Sequence, residues 1–184
     1  MNENKYNYYI DASTTRMGIV LEDIENHELI ITDLNFSKFH CKKDEPHMKR
    51  QIEKFRYISD RLNEFIEKWP TGEKIVLEGI FLNSFHKNSS EILLKLHGFL
   101  INKFLDKELV FIPPAHIKKT ITGKGNAKKE EVLLNIQKQA GSIEFYNNDQ
   151  SDAFAVFLTH KLEEEECSVL EITSKYEIVT LPGG

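Results

Sequence analysis

The chain has 184 residues and a formal net charge of −5, and 40% of its residues are hydrophobic. This composition predicts one soluble globular domain and excludes a fibrous or intrinsically disordered protein. Its two cysteines lack the spacing of a metal site, and its polar first residues lead directly into a strand. Because there is no export signal and no apolar run long enough to span a bilayer, we expect a cytoplasmic protein.

The acidic charge is concentrated at one end of the sequence. Residues 163–184 contain six Glu and one Lys, whereas residues 1–162 contain 23 basic and 23 acidic residues. Two internal segments, residues 38–61 and 113–139, each carry a net charge of +4. Such segments can contact a phosphate backbone, but any single one is more often a solvated helix face. The charge pattern therefore permits a nucleic-acid partner without requiring one.

Apolar periodicity predicts an alternation of strands and helices along the chain. Short connections between the first three strands indicate an antiparallel meander, and the helix that follows indicates a crossover to a strand parallel to the first. Strands are predicted at residues 8–11, 17–22, 28–37, 74–78 and 109–112, with further candidates at 169–173 and 176–181, and helices are predicted at residues 45–69, 89–105 and 147–158.

Two of the predicted strands end in a carboxylate, Asp11 and Glu78. Parallel neighbouring strands end at the same edge of a sheet, so we expect these acids to lie side by side. A helix then opens with Asp149 and Asp152 on one face of its first turn. Asp11 could instead cap a turn, and Asp149 could cap the helix. Four carboxylates without His or Cys suit magnesium or manganese, and they are enough for two ions.

The helix predicted at residues 89–105 has apolar residues around most of its circumference, which is more than a helix on one sheet face requires. It is therefore either deeply buried or in contact with a second subunit, and Gly98 would allow a partner to approach closely. The pattern of this helix alone does not decide between the two.

Residues 116–129 contain two glycines, Gly123 and Gly125, among several lysines. We interpret this stretch as a mobile or closely approaching loop whose lysines supply point charges suited to phosphates. It lacks the spacing of a nucleotide-binding phosphate loop.

Four short motifs follow one another along the chain. They are Ile10-Asp11 with Gly18 downstream, residues 77–81, residues 117–125 with Ala127 and Lys129, and residues 149–153 leading to residues 158–160. Together they make the sequence resemble the RuvC-type Holliday junction resolvases, within the ribonuclease H-like and integrase superfamily. The resemblance implies an α/β, ribonuclease H-like fold with a mixed five-stranded sheet, three antiparallel strands then two parallel, and helices on both faces. It implies a nuclease domain at residues 1–162 and leaves residues 163–184 as an acidic C-terminal extension.

Carried over residue by residue, the resemblance implies a catalytic site that holds two Mg²⁺ ions, for which Mn²⁺ can substitute. The implied metal ligands are Asp11, Glu78, Asp149 and Asp152. Phe81 matches an aromatic residue that contacts unpaired bases at the crossover. The implied DNA-binding lysines are Lys118 and Lys129, near the scissile phosphate, together with Lys119 and Lys124.

The implied activity is metal-dependent, structure-selective endonuclease cleavage. The substrates are Holliday junctions and related branched DNA, including forks and flaps, cut by paired nicks in recombination, repair or phage DNA processing. The family works as a homodimer, which favours a subunit contact through residues 89–105 and makes Leu96 and Leu100 the expected contact residues. One departure from the family pattern is Ala12-Ser13, where the family has Pro-Gly.

Two other functions stay open at this point. Residues 11–15 also resemble the first phosphate motif of actin-like and sugar kinases, but this chain has no second glycine-rich phosphate loop. The other alternative is a branched-DNA binding protein without cleavage, which the presence of all four acids disfavours. A nucleotide-binding assay tests the first alternative, and incubation of junction DNA with magnesium tests the second.

Overall fold

The structure is a computed structural model that describes residues 5–42, 44–80, 87–141 and 143–184. In these ranges, six strands and six helices alternate along the chain. The strands are β1 (Tyr6–Asp11), β2 (Arg16–Asp23), β3 (Glu28–Asn35), β4 (Thr71–Glu78), β5 (Glu108–Ile112) and β6 (Glu177–Thr180). The helices are α1 (His47–Lys68), α2 (Lys87–Lys103), α3 (Pro114–Thr122), α4 (Lys129–Ala140), α5 (Asn148–Glu164) and α6 (Val169–Thr173).

The strands form one mixed sheet in the order β5-β4-β1-β2-β3-β6. Strands β1, β2 and β3 are antiparallel to their neighbours in the meander, and β4 and β5 run parallel to β1, which confirms the predicted fold class. The strand count is six rather than five because β6 pairs in parallel with β3. The sixth strand therefore comes from the acidic extension and covers what would otherwise be a sheet edge.

Helices cover both faces of the sheet because successive strand residues point to opposite sides. In β1, Tyr8 and Ile10 pack with residues of α1 and α2, whereas Tyr9 packs with residues of α5. Helix α5 is buried around its whole circumference over residues 153–158, as expected of a helix at the centre of a domain. No helix of the described ranges is long and apolar enough to cross a membrane.

Two local predictions are wrong. Residues 116–129 were predicted as a loop, but residues 116–122 belong to α3 and Lys129 begins α4, so only the connection at residues 123–128 is irregular. Residues 169–173, a candidate strand, form α6, because Ser168 and Glu171 make a capping box in which each side chain accepts a hydrogen bond from the other's backbone N–H. The second candidate strand, at residues 176–181, corresponds to β6.

The prediction that Leu96 and Leu100 contact a second subunit is also wrong. Leu96 and Leu100 are fully buried in the core of the single chain, against the sheet, so neither side chain is available to a partner. A second apolar stripe of α2 does face outward. Its members are Leu94, which is 48% exposed, and Ile101, which is 37% exposed, followed just beyond the helix by Leu105, which is 71% exposed.

Residues 181–184 pack closely beside Asp33 of β3. Leu181 N–H donates to the Ile31 carbonyl at 2.8 Å, and Gly184 N–H donates to the Asp33 carbonyl at 3.2 Å. A Cβ atom on Gly183 would lie 2.1 Å from Asp33 Oδ2, closer than atoms can approach. The glycine at this position therefore allows the extension to close over Asp33.

We expect Gly183→Ala to lower the melting temperature by about 3–10 °C, since the added methyl group overpacks a buried contact. Gly184→Ala is the matched control. Its Cβ would meet only the mobile end of the Arg61 side chain, at 3.3 Å, so its melting temperature should stay within about 2 °C of the wild type. Thermal unfolding followed by circular dichroism measures both, and equal shifts in the two variants would contradict this packing.

Candidate functional site

Strand pairing places two carboxylates together at one edge of the sheet. Ile10 of β1 is the register partner of Leu77 of β4, so Asp11 and Glu78 emerge side by side where the two strands end. Asp11 is 9% exposed, and its carboxyl group lies close enough to that of Glu78 for a hydrogen bond to form when one of the two is protonated. Two acids in such a contact share a proton unless a cation takes its place.

The first turn of α5 supplies the other two carboxylates, Asp149 and Asp152. Asn147 is the N-cap of this helix, and its side chain accepts a hydrogen bond from Gln150 N–H at 3.1 Å. Asp149 is therefore free of the capping role that its position allowed. Its side chain is 32% exposed, and that of Asp152 is 20% exposed.

Gly18 of β2 explains why this turn lies so close to the strand ends. Gly18 is the register partner of Asp11 across β1 and β2. A Cβ atom at Gly18 would lie 1.9 Å from the carbonyl oxygen of Asp149. The backbone of α5 thus rests directly on the glycine, which brings the acids of the helix towards those of the strands.

The carboxylates act on one another electrostatically. Burial and the negative charges of Glu78 and Asp152 raise the pKa of Asp11 well above its usual value. Burial also raises the pKa of Glu78, and the charge of Asp152 adds to this shift. Burial raises the pKa of Asp149 as well, although Arg16 opposes the shift. The site therefore holds more negative charge than its surroundings neutralise.

Two of the predicted DNA-binding lysines lie at these carboxylates. Lys129 Nζ donates to Asp152, and burial alone would lower its pKa, but Asp152, Asp11 and Glu78 outweigh burial and raise it. The charge of Lys118 acts on Glu78. A cavity of about 120 Å³ opens between them, lined by Glu78, Asp152, Lys118 and Lys129 and by the apolar residues Pro114, Ile117, Val132 and Ala155.

Two more of the predicted DNA-contact residues, Lys119 and Lys124, do not line this cavity. Lys119 lies on α3 and Lys124 in the connection that follows, and both are exposed. In that connection Gly125 does make a close approach, since its Cβ would lie 3.1 Å from the Ala115 carbonyl oxygen. Phe81 lies outside the described residues.

The carboxylates suit a divalent cation by their chemistry, but their side chains do not converge as the ligands of one ion. Within the described ranges, no three Asp, Glu, His or Cys side chains are placed together to hold a metal ion. Asp11 lies against Glu78 and Asp152 is bound to Lys129, whereas Asp149 lies 3.8 Å from Arg16 Nε, beyond hydrogen-bond distance. Mg²⁺ prefers oxygen ligands, and a divalent cation would stabilise the ionised form of these carboxyl groups, which burial and mutual repulsion disfavour.

Sequence reasoning missed a set of residues that support Asp149. Arg16 Nε lies 3.8 Å from Asp149 Oδ2, and Arg16 Nη1 lies 3.2 Å from Asp33 Oδ2. Asp33 also accepts hydrogen bonds from the side chains of Asn147 and Gln150, at 2.8 Å each. The sequence did contain one indication of these contacts. Asp33 lies within an apolar strand, where a buried carboxylate needs hydrogen-bond partners.

Comparison with known proteins places the chain in a family. The sequence model of the family described as crossover junction endodeoxyribonuclease RuvC matches residues 17–160, a range that contains Glu78, Asp149 and Asp152 and begins after Asp11. The chain belongs to the RuvC family. It is 30% identical over 156 residues to the crossover junction endodeoxyribonuclease RuvC of Christiangramia forsetii, a match that covers 82% of this chain and 76% of that protein. It is also 30% identical over 155 residues to the RuvC of Prochlorococcus marinus strain SARG, covering 82% and 94%.

Solved structures share the RuvC fold of this chain. Thermus thermophilus RuvC superposes with a TM-score of 0.58 at 19% identity, covering 86% of this chain and 95% of that one. The same protein in complex with a Holliday junction substrate gives a TM-score of 0.57. The yeast mitochondrial Holliday junction resolvase Ydc2 gives 0.52 at 12% identity, covering 94% of this chain and 80% of that one. At these identities the likeness establishes the fold.

The close approach at Gly18 predicts that Gly18→Ala displaces the first turn of α5. We expect crossover-junction cleavage to fall about 100-fold, because displacing catalytic groups by about 1 Å costs that much, and the melting temperature to fall as well. Gly184→Ala is the matched control, since its Cβ would meet only the end of the Arg61 side chain, at 3.3 Å, and cleavage should stay at the wild-type rate. Wild-type cleavage by Gly18→Ala would show that α5 does not depend on this contact.

Proposed function

We propose that the chain is a divalent-metal-dependent, structure-selective endonuclease that resolves Holliday junctions and related branched DNA by paired nicks. The observation that carries the proposal is that two strand-end acids, Asp11 and Glu78, lie side by side within electrostatic range of Asp152 on the first turn of α5, which also carries Asp149. Membership of the RuvC family supports the same reading. So does the structure of Thermus thermophilus RuvC with a Holliday junction substrate.

We assign the four carboxylates the role of metal ligands, with Mg²⁺ as the preferred ion and Mn²⁺ as a substitute. Two divalent ions held there would supply an activated water for in-line attack on the phosphodiester and would neutralise charge on the departing 3′ oxygen. The chain then has no need of a nucleophilic side chain. In this proposal Asp11 and Glu78 contribute ligands from the sheet, and Asp149 and Asp152 contribute ligands from α5.

The two lysines at the carboxylates have a separate role in this proposal. Lys129 is bound to Asp152 in the absence of substrate, and it can exchange that carboxylate for a phosphate oxygen once a cation occupies Asp152. Lys118, on the other side of the cavity, adds a second positive charge beside Glu78. Both would hold the scissile phosphate against the carboxylates, which otherwise repel it. Lys119, Lys124 and Phe81 are proposed to contact DNA as well.

Changing Asp11, Glu78, Asp149 or Asp152 singly to its amide tests the nuclease assignment. Each amide keeps the side-chain size but loses a charge that holds the metal, so cleavage of a four-way junction in Mg²⁺ should fall at least about 100-fold. Binding of the same junction in EDTA, measured by gel shift, should be equal or tighter because repulsion of phosphate is reduced.

Asp106→Asn is the matched control for these variants, since Asp106 is an acid whose side chain is 74% exposed, and it should cleave at the wild-type rate. Near wild-type cleavage by any two of the four amide variants would contradict the assigned site. Tight junction binding by a wild-type protein that cuts no strand in Mg²⁺ would instead support a branched-DNA binding protein without cleavage.

We further propose a homodimer through the outward stripe of α2, formed by Leu94, Gly98 and Ile101. The stripe continues onto α1, where Met48 and Ile52 are exposed. The two helices are neighbours, because the rings of Phe55 and Phe99 lie 6.4 Å apart and Lys95 Nζ donates to Gln51 at 2.9 Å. Exposed apolar residues on two neighbouring helices are typical of a protein interface.

Leu94→Glu and Ile101→Glu should convert a dimer to a monomer without loss of helicity, because each places an unpaired charge in the contact. Leu134→Glu on α4 is the matched control, since Leu134 is 49% exposed but lies on the other face of the molecule, and it should leave the assembly unchanged. Light scattering measures the mass. A wild-type protein that is monomeric at micromolar concentration would contradict the proposed dimer.

A further inference from the structure

Asp33 of β3 is a buried acid that takes no direct part in the proposed chemistry. It is the register partner of Gly18, the residue on which α5 rests, and its side chain is fully buried. A carboxylate taken out of water needs hydrogen-bond donors and a counter-charge to be tolerated. The side chains that donate hydrogen bonds to the Asp33 carboxylate all belong to residues around Asp149.

The two carboxylate oxygens of Asp33 bind different partners. Oδ1 accepts from Asn147 Nδ2 and from Gln150 Nε2, each at 2.8 Å. These residues flank Asp149, and Asn147 is also the N-cap of α5, so this oxygen anchors the turn that carries Asp149. Oδ2 accepts from Arg16 Nη1 at 3.2 Å.

Arg16 lies between two carboxylates but is hydrogen-bonded to one of them. Its Nη1 donates to Asp33, whereas its Nε stays 3.8 Å from Asp149 Oδ2, beyond hydrogen-bond distance. A guanidinium bound directly to Asp149 could form two parallel hydrogen bonds and occupy both carboxylate oxygens. The observed position leaves those oxygens accessible.

We propose that Asp33 is a positioning residue that holds the Arg16 guanidinium away from Asp149, so that Asp149 keeps its oxygens available for a divalent cation. The inference rests on the proposed function of Asp149 as a metal ligand. Arg16 in turn supplies the counter-charge that a carboxylate buried at Asp33 needs. The pair thus anchors the first turn of α5 without neutralising the acid that this turn presents.

Asp33→Asn separates the two roles of the carboxylate. The amide oxygen can still accept from Asn147 and Gln150, but the amide nitrogen offers Arg16 no acceptor. Arg16 should then move to Asp149 and compete with the cation. We expect Mn²⁺ to bind about three- to fivefold more weakly, the range that a partly exposed ion pair can supply.

Two more variants test whether Asp33 acts through Arg16. Arg16→Gln should bind Mn²⁺ at least as tightly as the wild type, while its melting temperature falls because Asp33 is left buried without a counter-charge. The double variant, Arg16→Gln with Asp33→Asn, should return the Mn²⁺ affinity to within about twofold of the wild type. Rescue of this kind requires that Asp33 acts through Arg16.

The measurement is titration of the full chain with Mn²⁺ in the absence of DNA, following free Mn²⁺ by electron paramagnetic resonance, with circular dichroism to verify folding. Asp23→Asn is the matched control. Asp23 is also a buried acid that accepts hydrogen bonds, but it lies about 17 Å farther along β2 than Gly18. The Mn²⁺ affinity of Asp23→Asn should therefore stay within about twofold of the wild type.

Weaker Mn²⁺ binding by Arg16→Gln alone would overturn the inference, and so would a double variant as weak as Asp33→Asn or an Asp33→Asn variant that binds like the wild type. Should Asp33→Asn fail to fold, Arg16→Gln decides alone. Failure of the proposed function has a different signature, in which Asp149→Asn binds as much Mn²⁺ as the wild type. That result would remove the metal ligand and this inference together.

Discussion

The contact between the first turn of α5 and Gly18 is the constraint on which the site depends. The carbonyl oxygen of Asp149 occupies the space that any larger residue at position 18 would need. Gly18 pairs with Asp11 on one side and with Asp33 on the other, so one backbone contact sets the helix against both the strand-end acid and its buried anchor. The all-round burial of α5 makes it a rigid support for the acids at its start.

Bringing four acids together costs free energy that the rest of the site reduces without removing it. Burial and the charge of Asp152 raise the pKa values of Asp11 and Glu78, and a proton shared between the two carboxyl groups would relieve part of the repulsion. Lys129 relieves another part at Asp152. A divalent cation can replace the proton, and Lys129 can leave Asp152 to bind a phosphate. The charges of the site therefore suit its proposed ligands.

The sequence predicted those features that depend on local pattern and strand order. Acids at the ends of β1 and β4 could be placed together because parallel neighbours end at one edge. The apolar arc of α2 was recognised, but not which stripe is buried, because the sequence cannot show that Leu96 and Leu100 face the sheet. The roles of Arg16 and Asp33 were missed, since their contacts with residues 147–150 join positions more than 100 residues apart. The extension was only partly predicted because β6 is an edge strand of four residues.

We propose that Asp11, Glu78, Asp149 and Asp152 form one metal site at the end of β1. Crystals of the protein soaked in Mn²⁺, with diffraction measured where manganese scatters anomalously, test this site. We expect anomalous peaks within about 2.0–2.6 Å of these carboxylate oxygens, with Lys129 no longer bound to Asp152. Peaks at other residues, or none with Asp11 and Glu78 still sharing a hydrogen bond at saturating Mn²⁺, would contradict it.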